Sequence, residues 1–363
     1  MAAFVVATMG GTVALTPAGA ATKPVAVFAK AGPYAVGVKT LTIGDRKTEV
    51  WYPAAPKSVR GKTKDAYNIA KYLPQALQDL LTSKNVSAPF TTNAYRNVPA
   101  STKDPFPLVV FSHGFSGWRE QSTFLTTHLA SWGFVVSSPD FLERGLGSQL
   151  GLSVATPRTE DDVITAAVTA TRAAFPKTVR KGKIAIVGHS AGGGTAIKYG
   201  AKPNVLTYIA LSAGPFAFGT GAAPVPAKKP SMYITGRDDG VAEFARVADA
   251  YKTVPAPKRF VVIDGSGHLN GMSDICEIGK GGGGIVAIAQ QAGIPVPANL
   301  VKLGTDGCNP PALKSKQVWP LTRHFVTAQL RFAFKLDQKP IGLQPSVVKA
   351  FLPVKVTYTQ TLK

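Results

Sequence analysis

Short, continuously apolar runs alternate along this chain with longer stretches in which apolar residues recur every three or four positions. The runs fall at residues 107–111, 133–138, 183–187, 205–211, 231–235 and 259–263. Between them lie amphipathic segments. One carries Leu125, His128, Leu129 and Trp132 on a single face, and another covers residues 160–175 with Asp161 and Asp162 in its first turn, where the helix dipole favours acids. Further helices are predicted directly after Ser190, over 241–251, and where Leu321, Phe325, Ala328 and Phe332 form one stripe. Residues 39–43 and 48–52 flank Gly44-Asp45 as a hairpin. Buried strands alternating with helices predict a mostly parallel, doubly wound α/β sheet with helices on both faces. Two stretches break the rhythm and read as excursions, 56–106 and 278–311.

Composition narrows the class. The 363 residues are 45% hydrophobic and 17% charged, which describes a globular protein. A formal net charge of +21 predicts long-range electrostatic attraction to anionic surfaces. The lysines are scattered without interleaved aromatics, so no specific nucleic-acid binding is expected.

Residues 1–31 read as a signal-peptide remnant and arm. An apolar stretch ends in Ala18-Gly19-Ala20, with no Lys or Arg before Lys23 and a mature start expected near Ala21. Export is therefore expected, with no transmembrane span. One α/β domain is assigned to 32–340, followed by a tail at 341–363. In an exported chain Cys276 and Cys308, the two cysteines, are expected to pair, a loop closure worth about 3–4 kcal/mol. The excursion 276–311, most of which they close into a loop, is a candidate flap. Within it the run from Gly281 to Gly284 reads as a hinge, since no Lys-Ser/Thr follows it to cradle phosphate.

The chemistry gathers at Gly188-His189-Ser190-Ala191-Gly192, which an apolar run enters and a small-residue helix leaves. That is the form of a nucleophile elbow, where a sharp turn holds a serine hydroxyl above the sheet. Serine needs a base, and His268, in a glycine loop just past the last parallel strand, is the histidine placed for it. The acid should lie between the two in chain order, and the loop 235–241 supplies Asp239, with Asp238 as runner-up. Oxyanion donors are expected from the main-chain N–H groups of Ala191 and Phe115. Phe115 and Phe216 are candidate walls of the substrate site. No metal and no cofactor is called for.

Several segments carry a resemblance. Gly32-Pro33-Tyr34, Val50-Trp51-Tyr52-Pro53, Phe111-Ser112-His113-Gly114, the run from Leu129 to Val136 and Gly188-His189-Ser190-Ala191-Gly192-Gly193 are similar to the α/β-hydrolases of the platelet-activating-factor acetylhydrolase and dienelactone-hydrolase-like group, which in turn resemble cutinase-type polyester hydrolases. The resemblance spans roughly residues 32–270 and implies the α/β-hydrolase fold. It also implies a triad of Ser190, Asp239 and His268 with Phe115 and Ala191 as oxyanion hole. The function expected is a secreted serine carboxylic-ester hydrolase acting on lipid-like or short-acyl esters. A polyester or cutin-type hydrolase is the alternative within enzymes, and a non-catalytic binder of anionic polymers the alternative outside them.

Overall fold

The computed structural model describes residues 25–87, 89–217, 222–279 and 283–363. The expected signal segment with its Ala18–Ala20 end, and Gly281 and Gly282 of the glycine run, lie outside the described residues.

The chain opens with the antiparallel hairpin β1 (Ala35–Ile43) and β2 (Arg46–Ala54), closed at Gly44, whose φ of 76° suits glycine. The first excursion holds β3 (Ala66–Asn68), a 3-10 turn at Ile69–Tyr72, α1 (Gln75–Ser83), β4 (Pro89–Thr91) and β5 (Tyr95–Arg96). β3 and β4 form a small separate ladder, and β5 pairs with β1. Then come β6 (Leu108–Ser112), α2 (Thr123–Ser131), β7 (Val135–Pro139), α3 (Leu146–Gln149) and α4 (Glu160–Ala174). The second half contains β8 (Ile184–His189), α5 (Ala191–Gly200), β9 (Val205–Leu211), β10 (Ser231–Gly236), α6 (Phe244–Lys252) and β11 (Lys258–Ile263). The cysteine-bounded insert contributes α7 (Gly284–Gln291) and α8 (Ala298–Thr305), and the chain finishes with α9 (Ser315–Ala333) and β12 (Val356–Thr361).

Ten strands make one sheet in the order β12-β11-β10-β9-β8-β6-β7-β2-β1-β5. The stretch from β11 to β7 is parallel, while β12, β2 and β1 join antiparallel. Helices α2 and α9 bury Leu125, Leu129, Leu321 and Phe325 on one face, with Val109, Val187 and Ile234 beneath them. On the other face α4, α5 and α6 bury Val163, Ile164, Ile197 and Val247 against Val110, Ile186 and Tyr233. This is the α/β-hydrolase fold. β6 and β8 are spatial neighbours although β7 lies between them in the chain, so the winding reverses there and leaves a crevice at their carboxyl ends.

The segment 341–363, expected as a tail beyond the domain, is part of it. β12 runs antiparallel to the whole of β11, from Lys258 opposite Thr361 to Ile263 opposite Val356. Its residues alternate between half-buried and exposed, Val356-Thr-Tyr-Thr-Gln-Thr, so it lacks the apolar run that marks the other strands. That is the profile of an edge strand with one wet face. The helix expected over 241–251 begins later, at Phe244, because Asp239 organises the turn before it.

The Cys276–Cys308 disulfide is formed. Among the described residues no helix is long and apolar enough to cross a membrane.

Candidate active site

β8 delivers Ser190 at φ 55° and ψ −124°, a conformation few L-residues adopt, and α5 starts at the next residue. The flanking glycines are what permit it. A Cβ on Gly188 would fall 1.9 Å from the Gly192 carbonyl oxygen, and one on Gly192 would fall 2.1 Å from that of Ser112. One on Gly193 would meet Ala213 Cβ at 2.4 Å. Strand, turn and helix thus interlock with no room for a methyl group, which leaves Ser190 buried but at the wall of a cavity.

β10 ends in the loop carrying Asp238 and Asp239, and β11 ends in the loop carrying His268. Asp239 is the buried member of the pair; Asp238 is exposed. His268 Nδ1 lies 3.0 and 2.9 Å from the two carboxylate oxygens of Asp239, with both side chains almost wholly buried. Asp239 Oδ1 also accepts the N–H groups of Val241 and Ala242 at 2.9 and 2.7 Å. Burial pushes this carboxyl up, but the adjacent His268 ring and these hydrogen bonds outweigh it and hold it below the usual carboxylate range. Arg237 turns away to pair Asp264 at 2.6 Å.

With Nδ1 committed to Asp239, His268 Nε2 is buried and has no hydrogen-bond partner among the described residues. It lines the same cavity as Ser190. A buried ring nitrogen without a partner is costly unless something else is meant to meet it.

The loop after β6 runs against the elbow, since a Cβ on Gly114 would sit 3.1 Å from Ser190 Cβ. Within it the N–H of Phe115 has no acceptor among the described residues, and neither has that of Ala191 at the first turn of α5. The loop is held from both sides. His113 Nε2 accepts the Phe141 N–H at 3.0 Å, which leaves its Nδ1–H to donate to the Gly114 carbonyl at 2.9 Å. The half-buried Arg144 donates to the His113 carbonyl at 3.0 Å and the Ser112 hydroxyl at 2.7 Å, and its own carbonyl accepts the Ser116 N–H at 2.8 Å.

Two side chains link this loop to the histidine, and neither was singled out for that role from sequence. Gln121 Oε1 accepts the Gly114 N–H at 3.0 Å while its Nε2 donates to His189 Nδ1 at 2.7 Å. That fixes the His189 proton on Nε2, which donates to the His268 carbonyl at 3.0 Å. Burial first, and then the neighbouring His268, lower the His189 pKa to about 3, so the ring stays neutral. His189 is therefore a structural linker beside Ser190.

The cavity is about 140 Å³ and overwhelmingly apolar away from Ser190, His268, His189 and Gln121. Its walls come from the segments outside the α/β rhythm. Ile69, Leu73, Leu77 and Leu81 belong to the first excursion, Leu146 and Leu150 to α3 and its end, and Ile285, Val286, Leu300 and Leu303 to the disulfide-closed insert. Phe115 lines it, 44% exposed. Phe216 does not. The Phe216 N–H donates back to the Gly214 carbonyl at 2.8 Å, turning the ring into the core beside Val247 with the Arg246 guanidinium 4.2 Å above it. The expectation that Phe216 walls the substrate site is thereby corrected.

Comparison with known proteins agrees with this architecture. The model of platelet-activating factor acetylhydrolase, isoform II, matches residues 19–145, and that of the alpha/beta hydrolase family matches residues 109–230. No curated protein matches the chain. Among solved structures, a ferulic acid esterase from Streptomyces cinnamoneus is similar with a TM-score of 0.54 at 20% identity, over 90% of this chain and 96% of that one. At that identity the likeness is one of fold.

Proposed function

We propose that this chain, a carboxylic-ester hydrolase of the α/β-hydrolase fold, works through Ser190, His268 and Asp239 and acts on esters with a compact apolar acyl group. The observation that carries the reading is the state of His268. One nitrogen is held by a buried carboxylate, and the other has no partner among the described residues, on a side chain that lines the same cavity as Ser190.

In this mechanism Ser190 Oγ attacks the ester carbonyl carbon as His268 Nε2 takes the hydroxyl proton. Asp239 stabilises the resulting imidazolium through Nδ1–H and fixes the ring orientation. The N–H groups of Phe115 and Ala191 receive the charge that develops on the carbonyl oxygen. Losing one such donor costs about 10²–10³ in rate. The tetrahedral intermediate collapses to an acyl-serine as His268 returns the proton to the departing alkoxide. Water, deprotonated by the same nitrogen, then releases the acid and regenerates Ser190.

The size of the cavity supports the acyl preference. An apolar cavity of about 150 Å³ accommodates a benzene-sized ligand, so 140 Å³ suits about six carbons or one aromatic ring. Walls supplied by three separate segments disfavour a polymer strand running past the nucleophile on both sides. The disulfide supports an extracellular location. The charge of +21 favours residence near anionic surfaces.

The test is a p-nitrophenyl ester series from acetate to palmitate, with methyl ferulate and a polyester film alongside. Activity peaking between butyrate and octanoate is expected. Labelling by a fluorophosphonate should disappear in Ser190→Ala. An unlabelled, inactive wild type would leave the anionic-polymer binder as the reading.

A further inference from the structure

A carboxylate from the disulfide-closed insert stands between the loops that carry Asp239 and His268. It belongs to Asp306, which follows α8 and precedes Cys308 by two positions. Its Oδ1 accepts the main-chain N–H of His268 at 2.6 Å, and its Oδ2 accepts that of Gly240, next to Asp239, at 3.1 Å. The Asp306 carbonyl accepts the Leu269 N–H at 3.1 Å as well. One residue thus holds the histidine loop twice and the acid loop once.

The local sequence is shaped to admit it. A Cβ on Gly240 would lie 2.7 Å from Asp306 Oδ2, and one on Gly267 would lie 2.6 Å from Oδ1. Each loop carries glycine where the carboxylate enters. The peptide groups on either side of His268 are then both held by distant side chains, the N–H by Asp306 and the carbonyl by His189. The loops share one direct main-chain bond, from the Asp238 N–H to the Ser266 carbonyl at 3.0 Å. That bond lies one residue before Asp239 and two before His268.

We infer that Asp306 is a positioning residue that sets the spacing of the Asp239 and His268 loops, so that the insert shaping the cavity also aligns the proton-transfer pair. The inference rests on the triad reading given above. Among the described residues Asp306 makes no hydrogen bond to Ser190 or to the two triad side chains, and acts on them through the main chain. Displacing a reacting group by about 1 Å costs on the order of 10²-fold in rate.

Full-length, disulfide-bonded Asp306→Ala and Asp306→Asn decide it, assayed with p-nitrophenyl butyrate and by the rate of fluorophosphonate labelling. In the alanine variant kcat should fall about 10²-fold with KM within threefold, labelling should slow in parallel, and the acidic limb of the kcat/KM pH profile should move. Asparagine keeps the shape but turns an N–H₂ toward one of the two N–H donors, so it should retain the fold and lose about tenfold. Should alanine fail to fold, the asparagine variant carries the test. Wild-type kcat and pH profile in a folded Asp306→Asn, with only a lowered melting temperature, would overturn the proposal, as would an effect confined to KM. Failure of the triad reading itself shows separately, as a wild type that neither turns over esters nor takes the label.

Discussion

On the sheet side of Ser190 the cavity is bounded by the loop after β6 and the end of β8, and the residues of those two strands are buried without exception. The elbow there is locked by backbone approaches that exclude even a methyl group. On the opposite side, short helices and turns supply the walls, and residues such as Leu77 and Leu303 are only half-buried. The first region is made by the fold and leaves the chemistry no freedom of placement. The second is made by additions to the fold and sets what fits. Reactivity and selectivity should therefore respond to mutation in different ways, one steeply and one in small steps.

The steepest response is expected at Ser190, the proposed nucleophile. Ser190→Ala should lower kcat by about 10⁵–10⁶ while leaving the far-ultraviolet spectrum unchanged. Asp239→Asn comes next, with a loss of about 10⁴ in kcat on p-nitrophenyl butyrate and little change in KM, because the ring loses its tautomer and its counter-charge. Gly192→Ala should act on folding as well as rate. Its methyl would fall 2.1 Å from the Ser112 carbonyl oxygen, and forcing the elbow from β6 should cost about 1–3 kcal/mol in a denaturant titration. If that variant were both stable and active, the distinction between a rigid floor and an adjustable wall would collapse. Leu303→Ala should behave like a wall. Butyrate turnover should stay within about fivefold, and the acyl optimum should move to longer chains, since each methylene accommodated is worth about 1–3 kcal/mol.

The most distributed effect concerns acid. His113, His128 and His189 are pushed down to about 3 and His324 to about 4, in each case chiefly by burial. His128, His189 and His324 lie in the sheet and its covering helices and His113 in the loop directly after β6, and none lies in the cavity walls contributed by the excursions. The folded chain binds fewer protons than the unfolded one between the ordinary histidine value and these. Their contribution is thus complete above pH 6.5 and is lost as pH falls toward 3. The slope reaches at most about 1.4 kcal/mol per pH unit for each histidine. Calorimetry between pH 7 and 4 should show a steadily falling melting temperature, and a flat profile would mean the scaffold is not where acid acts.

Reading the sequence succeeds where the cause is local. The elbow is legible because Gly188, Gly192 and Gly193 constrain Ser190 within three residues of it. Asp239 and His268 follow from strand ends and chain order. What escapes such reading depends on remote partners. Gln121 meets His189 across 68 positions, and Asp306 meets His268 across 38, both from segments with no periodicity to mark them. β12 escapes because an edge strand needs only half its residues apolar. Phe216 misleads for the reverse reason, since an aromatic in a loop after a strand looks like a wall until the loop folds back on Gly214.

The nearness of Asp306 to Cys308 bears on how such a protein could change its diet. Helices α7 and α8 could be traded between lineages, or grafted by design, to suit another acid. Whatever replaced them would inherit an obligation at its far end, to present an acceptor to Gly240 and His268 just before the second cysteine. Changes over residues 284–303 should retune what fits, whereas changes over 304–308 should disturb the Asp239 and His268 loops. A chimaera spliced at the cysteines and ignorant of that clause would keep its new specificity and lose its speed.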